Sequence, residues 1–184
     1  SDITIRNGTI TRDSATEFRL FYVSTYMPTT VGTLTLRDMT LTNGGGTGYS
    51  GVGAGVHVTS GSTLNLVQTI LTGNTSSNVG GGLANLDGTV RIVNSTISGN
   101  KAFAGGGLYQ SNGQTTITNS VISGNVAGSG GAINTINSSG TISITNSTIT
   151  GNYASSTSTA GCIHGNNSFT LTVRNSIVWG NRNA

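Results

Sequence analysis

The sequence predicts an all-β, right-handed parallel β-helix, or β-solenoid, of about seven coils of 25–31 residues. Three observations lead to this fold class: a repeated seven-residue motif, aliphatic residues at fixed offsets from it, and glycine clusters between its copies. The motif reads NSTISGN at 94–100 and returns as NSVISGN at 119–125, NSTITGN at 146–152 and NSIVWGN at 175–181. Looser copies begin at Asn7, Asp38 and Gln68.

Aliphatic residues occupy three positions around the first residue of each motif copy. They lie four residues before it, two residues before it and three residues after it, with Thr115 as the exception. Polar residues alternate with them within each strand, which is the period of a strand with one buried face. A further short strand is predicted after each glycine cluster, at Val56, Leu83, Leu108, Ile133 and Ile163.

A coil of about three short strands cannot bury its own apolar face, so we expect successive coils to stack. Each strand then pairs in parallel with its equivalent in the next coil, and such crossovers are right-handed in nearly all proteins. The composition agrees, because Gly, Thr, Ser and Asn favour turns and strands over helices. We interpret residues 1–184 as one β-helix domain, either a segment of a longer rod or a unit that stacks in one.

Two columns of amide and related side chains are expected at the corners of the coils. Stacked amides can accept a hydrogen bond from one coil and donate to the next, so both columns are predicted to form ladders with inward or corner-directed side chains. The first asparagine column consists of Asn7, Asp38, Gln68, Asn94, Asn119, Asn146 and Asn175. The second asparagine column consists of Asn74, Asn100, Asn125, Asn152 and Asn181.

Composition excludes several classes of protein. The net charge of +3 comes from only eight basic and five acidic residues, and the basic residues are scattered, so no nucleic-acid partner is expected. No apolar run is long enough to span a membrane. Cys162 is the only cysteine, and its place in a column of small residues predicts a small buried hydrophobe.

The segments GGGL and GGAI followed by NSTISGN resemble the GGAI and FxxN repeats of polymorphic outer-membrane proteins. They are equally similar to the right-handed parallel β-helix repeats of large secreted bacterial surface proteins. NSIVWGN is similar to the closing repeat of such proteins that carry a C-terminal anchor. The resemblance covers residues 53–181 closely and 1–52 loosely, and Ile or Val stands where the outer-membrane family has Phe. It implies secretion, surface exposure and an adhesive or structural role, and it carries over no catalytic residue.

The titratable residues do not form an evident catalytic or metal-binding group. Pectin-cleaving β-helices need clustered carboxylates, whereas only Asp13 and Glu17 are near neighbours among the five acidic residues here. We therefore predict no catalytic residue, no metal and no cofactor. His57 and His164 follow equivalent strand positions in distant coils and are expected on the outer surface without a role.

Two outward surfaces are candidates for binding. The threonine face, which resembles the ice-binding surface of solenoid antifreeze proteins, consists of Thr9, Thr11, Thr40, Thr42, Thr72, Thr96, Thr148 and Thr150. Plain β-propensity of exposed strands also explains these threonines. The aromatic surface consists of Phe18, Tyr22, Tyr26 and Met27, and it is a candidate platform for a protein receptor or a glycan.

Together these features predict a non-enzymatic, extracellular structural or adhesive β-helix at the cell surface. Neither end of the sequence shows a capping segment, so we expect end-to-end association, between chains as a fibre or with a continuation of the same chain. An ice- or glycan-binding solenoid that uses the threonine face is the first alternative. An inactive or remote relative of the polysaccharide-cleaving β-helix enzymes is the second.

Overall fold

The fold is a parallel β-solenoid, as the sequence predicts. The computed structural model describes residues 2–25, 32–47, 51–136, 139–165 and 169–184. Every strand pairing among these residues is parallel, and the strands form three sheets that are named A, B and C below. No α-helix occurs in the part of the chain that the structure describes.

Sheet A is the largest, and most coils contribute two strands to it, one on each side of a bend. Its strands are β1 (Asp2–Thr11), β3 (Thr33–Thr42), β6 (Thr63–Val67), β7 (Ile70–Thr72), β10 (Thr89–Val93), β11 (Thr96–Ser98), β14 (Gln114–Thr118), β15 (Val121–Ser123), β18 (Thr141–Thr145), β19 (Thr148–Thr150), β22 (Thr170–Arg174) and β23 (Ile177–Trp179).

After sheet A the chain passes through sheet C and then through sheet B before it returns to sheet A one layer on. Sheet C contains β4 (Gly45–Gly46), β8 (Thr75–Ser76), β12 (Lys101–Ala104), β16 (Val126–Ser129), β20 (Tyr153–Ala154) and β24 (Arg182–Asn183). Sheet B contains β2 (Phe21–Val23), β5 (Val56–Val58), β9 (Leu83–Leu86), β13 (Leu108–Ser111), β17 (Ile133–Ile136) and β21 (Ile163–Gly165).

The coil count differs from the sequence-based one. Seven copies of the motif predict seven coils, but the described strands complete about six turns. The reason is geometric: sheet A has a layer for each motif copy, whereas the six strands of sheet B lie one in each connection between consecutive layers. Seven layers of one sheet enclose only six connections.

Aliphatic side chains from all three sheets fill the interior. The columns that the sequence predicts as buried are inaccessible to solvent in the middle layers, for example Leu66, Ile92, Ile117 and Ile144 in sheet A. Leu83, Leu108 and Ile133 close the core from sheet B. Fully burying such a side chain contributes about 1.5–3 kcal/mol before chain entropy is subtracted, so the repeated columns are the main source of stability.

The outermost layers are less buried, because a terminal layer has a neighbour on one side only. Ile3 in the first layer is 58% exposed, and Val173 and Val178 in the last layer are also exposed. The end-to-end association expected from the sequence stays a prediction.

Candidate functional surfaces

The first asparagine column is not the predicted ladder. All its members are exposed, and among the described residues no hydrogen bond joins the side chains of Asn94, Asn119, Asn146 and Asn175. Each member of the column instead has a left-handed backbone conformation, with φ between 48° and 56°. Asn and Asp adopt this conformation more readily than most residues, so the column marks the bend within sheet A and its side chains point outward.

The outward position of Asn119 makes its role testable. We expect Asn119→Gly to change the free energy of unfolding by less than ~0.5 kcal/mol, because glycine accepts the left-handed conformation and no side-chain hydrogen bond is lost. Asn119→Ala should lower it by ~1 kcal/mol through backbone strain. Urea denaturation followed by circular dichroism measures both. A larger loss in the glycine variant than in the alanine variant would show that the side chain itself carries the stability.

A serine column that the sequence analysis missed lies directly after the first asparagine column. It consists of Thr69, Ser95, Ser120, Ser147 and Ser176. From one layer to the next, each hydroxyl accepts a hydrogen bond at 3.1 Å from the backbone N–H of the equivalent residue one layer earlier. For example, the backbone N–H of Ser95 donates to the Oγ of Ser120. Each hydroxyl also donates to the carbonyl two residues before it in its own coil. The recurrent Asn-Ser pair in the motif is the signal from which this column could have been found.

The second asparagine column lies inside the solenoid, and hydrogen bonds connect its members from layer to layer. The Nδ2 of Asn74 donates to the Oδ1 of Asn100 at 2.9 Å, and the same contact continues through Asn125, Asn152 and Asn181. Each Oδ1 also accepts from the backbone N–H of the preceding member. Buried polar groups thus obtain partners where the backbone leaves sheet A.

The threonine face lies on the outer side of the second half of sheet A. Its residues are in register from layer to layer: Thr9 pairs with Thr40, and Thr148 lies two layers beyond Thr96. Exposed aliphatic residues occupy the remaining layers of the same column, at Ile70, Val121 and Ile177. This column is therefore β-branched throughout, whereas Ser98, Ser123 and Trp179 interrupt the threonines of the second column.

The aromatic surface is described in part. Phe18 is 46% exposed and Tyr22 is 58% exposed, whereas Tyr26 and Met27 lie outside the described residues. Arg19 lies over the ring of Tyr22, 5.2 Å from its centroid. Tyr22 also meets His57 edge to face, with 5.1 Å between the ring centroids. The exposed ring of Tyr22 is thus held in place by two neighbours.

His57 is buried rather than on the surface, which corrects the sequence-based expectation. The turn before sheet B folds over the outer side of that sheet, and a Cβ added at Gly53 would lie 2.9 Å from the Cα of His57. The Nδ1 of His57 can accept a hydrogen bond from the Nη1 of Arg19 when the ring proton is on Nε2. Burial, and then the charge of Arg19, lower the pKa of His57 to about 4 from 6.5.

This pKa predicts a loss of stability in acid. As the pH falls from 6.5 to about 4, the unfolded chain binds a proton at His57 before the folded chain does, so the free energy of unfolding decreases. Above pH 6.5 the stabilisation that comes from keeping His57 neutral is fully present. His57→Gln should remove this part of the pH dependence and leave that of the carboxylates. Urea midpoints of both proteins measured across this range test the assignment, and parallel profiles would contradict it.

The remaining reactive groups are isolated. Cys162 is a half-buried free thiol that packs against the core, and burial raises its pKa to about 11. Within the described residues no group of three or more His, Cys, Asp or Glu side chains is placed to hold a metal ion. The same residues contain no helix with the length and apolar character of a membrane span.

Sheet C carries an exposed aromatic residue that the sequence analysis did not select. Strand β12 alternates strictly, with Ala102 and Ala104 buried and Lys101 and Phe103 exposed. Phe103 is 71% exposed, and shallow hollows of about 410 and 290 Å³ lie beside it. The alternating sequence K-A-F-A could have predicted this exposed ring, since it places the aromatic residue on the outer side of a strand.

The layered sheets and the inward polar columns define the protein as a parallel β-solenoid built from a repeated coil. Comparison of the chain with protein-family models, with curated proteins and with solved structures gave no match.

Proposed function

We propose that this chain is a non-enzymatic, extracellular structural and adhesive β-helix that presents binding residues along a rigid rod at a cell surface. The observation that carries the proposal is the inward hydrogen-bonded column from Asn74 to Asn181. It links five successive layers through side chains that are buried in all but Asn181, which favours a stiff support over a flexible tether. The similarity of GGGL, GGAI and NSTISGN to the repeats of bacterial surface proteins supports the same role.

Lateral surfaces with exposed aromatic residues support adhesion. Tyr22 on sheet B, Phe103 on sheet C and Trp179 on sheet A all face solvent. Exposed aromatic side chains are enriched in recognition surfaces, because a ring contributes a large contact area at a small cost in side-chain entropy. A surface of this kind suits contact with a protein receptor or a glycan.

An attachment assay under flow tests the adhesive role. Beads coated with the chain are passed over neutral polysaccharide, acidic polysaccharide, immobilised extracellular protein and bare glass. We expect retention on at least one coated surface above that of beads coated with an unrelated folded protein. Equal retention on every surface would overturn the adhesive role. Incubation of the same polysaccharides with the chain should release no new reducing ends, and release would overturn the non-enzymatic part.

Ice binding by the threonine face is a second candidate, because the columns of that face are in register through the layers of sheet A. It predicts a gap between the freezing and melting temperatures of a single ice crystal. Lysine substitutions at Thr96 and Thr148 should abolish the gap, because a long charged side chain breaks the regular surface. Absence of a gap in the unmodified chain would remove this candidate.

A further inference from the structure

The hollow of about 410 Å³ on sheet C exists because a glycine interrupts a row of outward side chains. Ala102 pairs with Ala127 and Ala104 with Ser129, so Gly128 lies beside Phe103 in the next layer. A Cβ added at Gly128 would lie 3.9 Å from the Cδ2 of Phe103 and only 2.7 Å from the carbonyl oxygen of Phe103, so a larger residue would require a backbone shift. Without that Cβ, one side of the Phe103 ring borders an open space instead of a neighbouring side chain.

Most of the other residues that line this space carry a hydroxyl group. Ser129, Ser155, Ser156 and Thr159 line it together with Phe103 and Gly128. Two of the hydroxyls are fixed by their own contacts: Ser129 Oγ accepts from Asn134 Nδ2 at 2.8 Å, and Thr159 Oγ1 donates to the carbonyl of Gly128 at 3.3 Å. Each retains hydrogen-bonding capacity for a further partner, because a hydroxyl can donate once and accept twice.

A second hollow, of about 290 Å³, also borders Phe103. Phe103 and Ser129 line both hollows, and Tyr109, Asn134 and His164 contribute to the second. No Asp, Glu, Lys or Arg side chain among the described residues lines either hollow. The first volume is at the lower end of the range of about 300–1,000 Å³ for small-molecule sites, and the second is just below it.

We infer that the two hollows that share Phe103 and Ser129 form a binding site for a neutral oligosaccharide. A pyranose ring presents C–H groups on its faces and hydroxyls at its edges, which matches an aromatic ring bordered by hydroxyl and amide groups. Hydroxyls that both donate and accept suit a ligand whose own groups do the same. The absence of Lys and Arg from the lining disfavours acidic polysaccharides. Two hollows that share one ring accommodate two adjacent sugar units.

Calorimetric titration of the whole chain with cellohexaose, xylohexaose, maltohexaose and chitohexaose tests the site. We expect at least one of these neutral sugars to bind, and Phe103→Ala to weaken its binding by about tenfold or more through the loss of the aromatic contact. Phe103→Trp should retain binding, because it keeps an aromatic ring. Tyr153→Ala is the matched control, since Tyr153 is exposed on the same sheet but lines neither hollow.

Several results would overturn the site. These are no binding of any neutral hexasaccharide, equal losses in the Phe103→Ala and Tyr153→Ala variants, or preferred binding of oligogalacturonate or of a proline-rich peptide. The glycan site rests on the proposed adhesive function, but different results would overturn the site and the adhesive function. Beads that attach equally well with and without the Phe103 ring would overturn the site and leave adhesion intact. Beads that attach to no surface would overturn adhesion.

Discussion

Replacing Asn125 with alanine is expected to lower the free energy of unfolding by about 3–5 kcal/mol, because it leaves several buried polar groups without partners. The side chain of Asn125 is inaccessible to solvent. Its Oδ1 accepts from the backbone N and from the Nδ2 of Asn100, both at 3.0 Å. Its Nδ2 donates to the carbonyl of Ile97 at 3.0 Å and to Asn152 Oδ1 at 2.9 Å.

Urea denaturation and amide hydrogen exchange measure this effect. The exchange of layers that contain Asn100 and Asn152 should accelerate first, because the substitution interrupts contacts with both neighbours. Asn119→Gly is the control, since Asn119 belongs to the same seven-residue motif but points outward. A loss in Asn125→Ala no larger than in that control would show that the inward column does not stabilise the solenoid.

Replacing Gly106 with alanine is expected to cost about 3 kcal/mol or more, at the upper end of the range for overpacking. An added Cβ would lie 2.6 Å from the carbonyl oxygen of Val126 and 2.7 Å from that of Gly131. Both atoms belong to the backbone of the next layer, so no side chain can move aside to make room. Gly81 and Gly131 are in equivalent surroundings in their own layers. The second glycine of each cluster therefore allows the layers to approach.

Gly8→Ala is the control for this effect. A Cβ at Gly8 would have no atom within 4 Å, and its φ is not in the left-handed region, so alanine should be neutral or stabilising by up to ~1 kcal/mol. Thermal and urea midpoints of both variants make the comparison. Equal midpoints for Gly106→Ala and the unmodified chain would mean that neighbouring layers can separate locally at little cost.

The position of Phe103 within a candidate site was not predictable from its own strand. The alternation in β12 places the ring outward, but the open space beside it depends on Gly128 in the next coil and on Ser155 two layers away. These residues come together only because the strands of sheet C pair in parallel, with Ala102 opposite Ala127 and Val126 opposite Tyr153. Loops of unequal length separate them in the sequence, so their alignment cannot be counted from the motif alone.

The sequence by itself determined the stacked parallel coils, since strand alternation and a repeat of 25–31 residues are properties of local spacing. Only the tertiary structure decided which polar column turns inward. Ile92 and Ile97 are five positions apart, so strict alternation would place them on opposite faces of the strand. Both nevertheless face the core, so the alternation of side chains must shift between them. The left-handed backbone at Asn94 makes that shift, which turns Asn94 outward and Ser95 inward. Side chains alternate between the two faces of a strand only while every residue keeps the extended conformation. Gly99 is a second left-handed residue, and the side chain of Asn100, directly after it, turns inward.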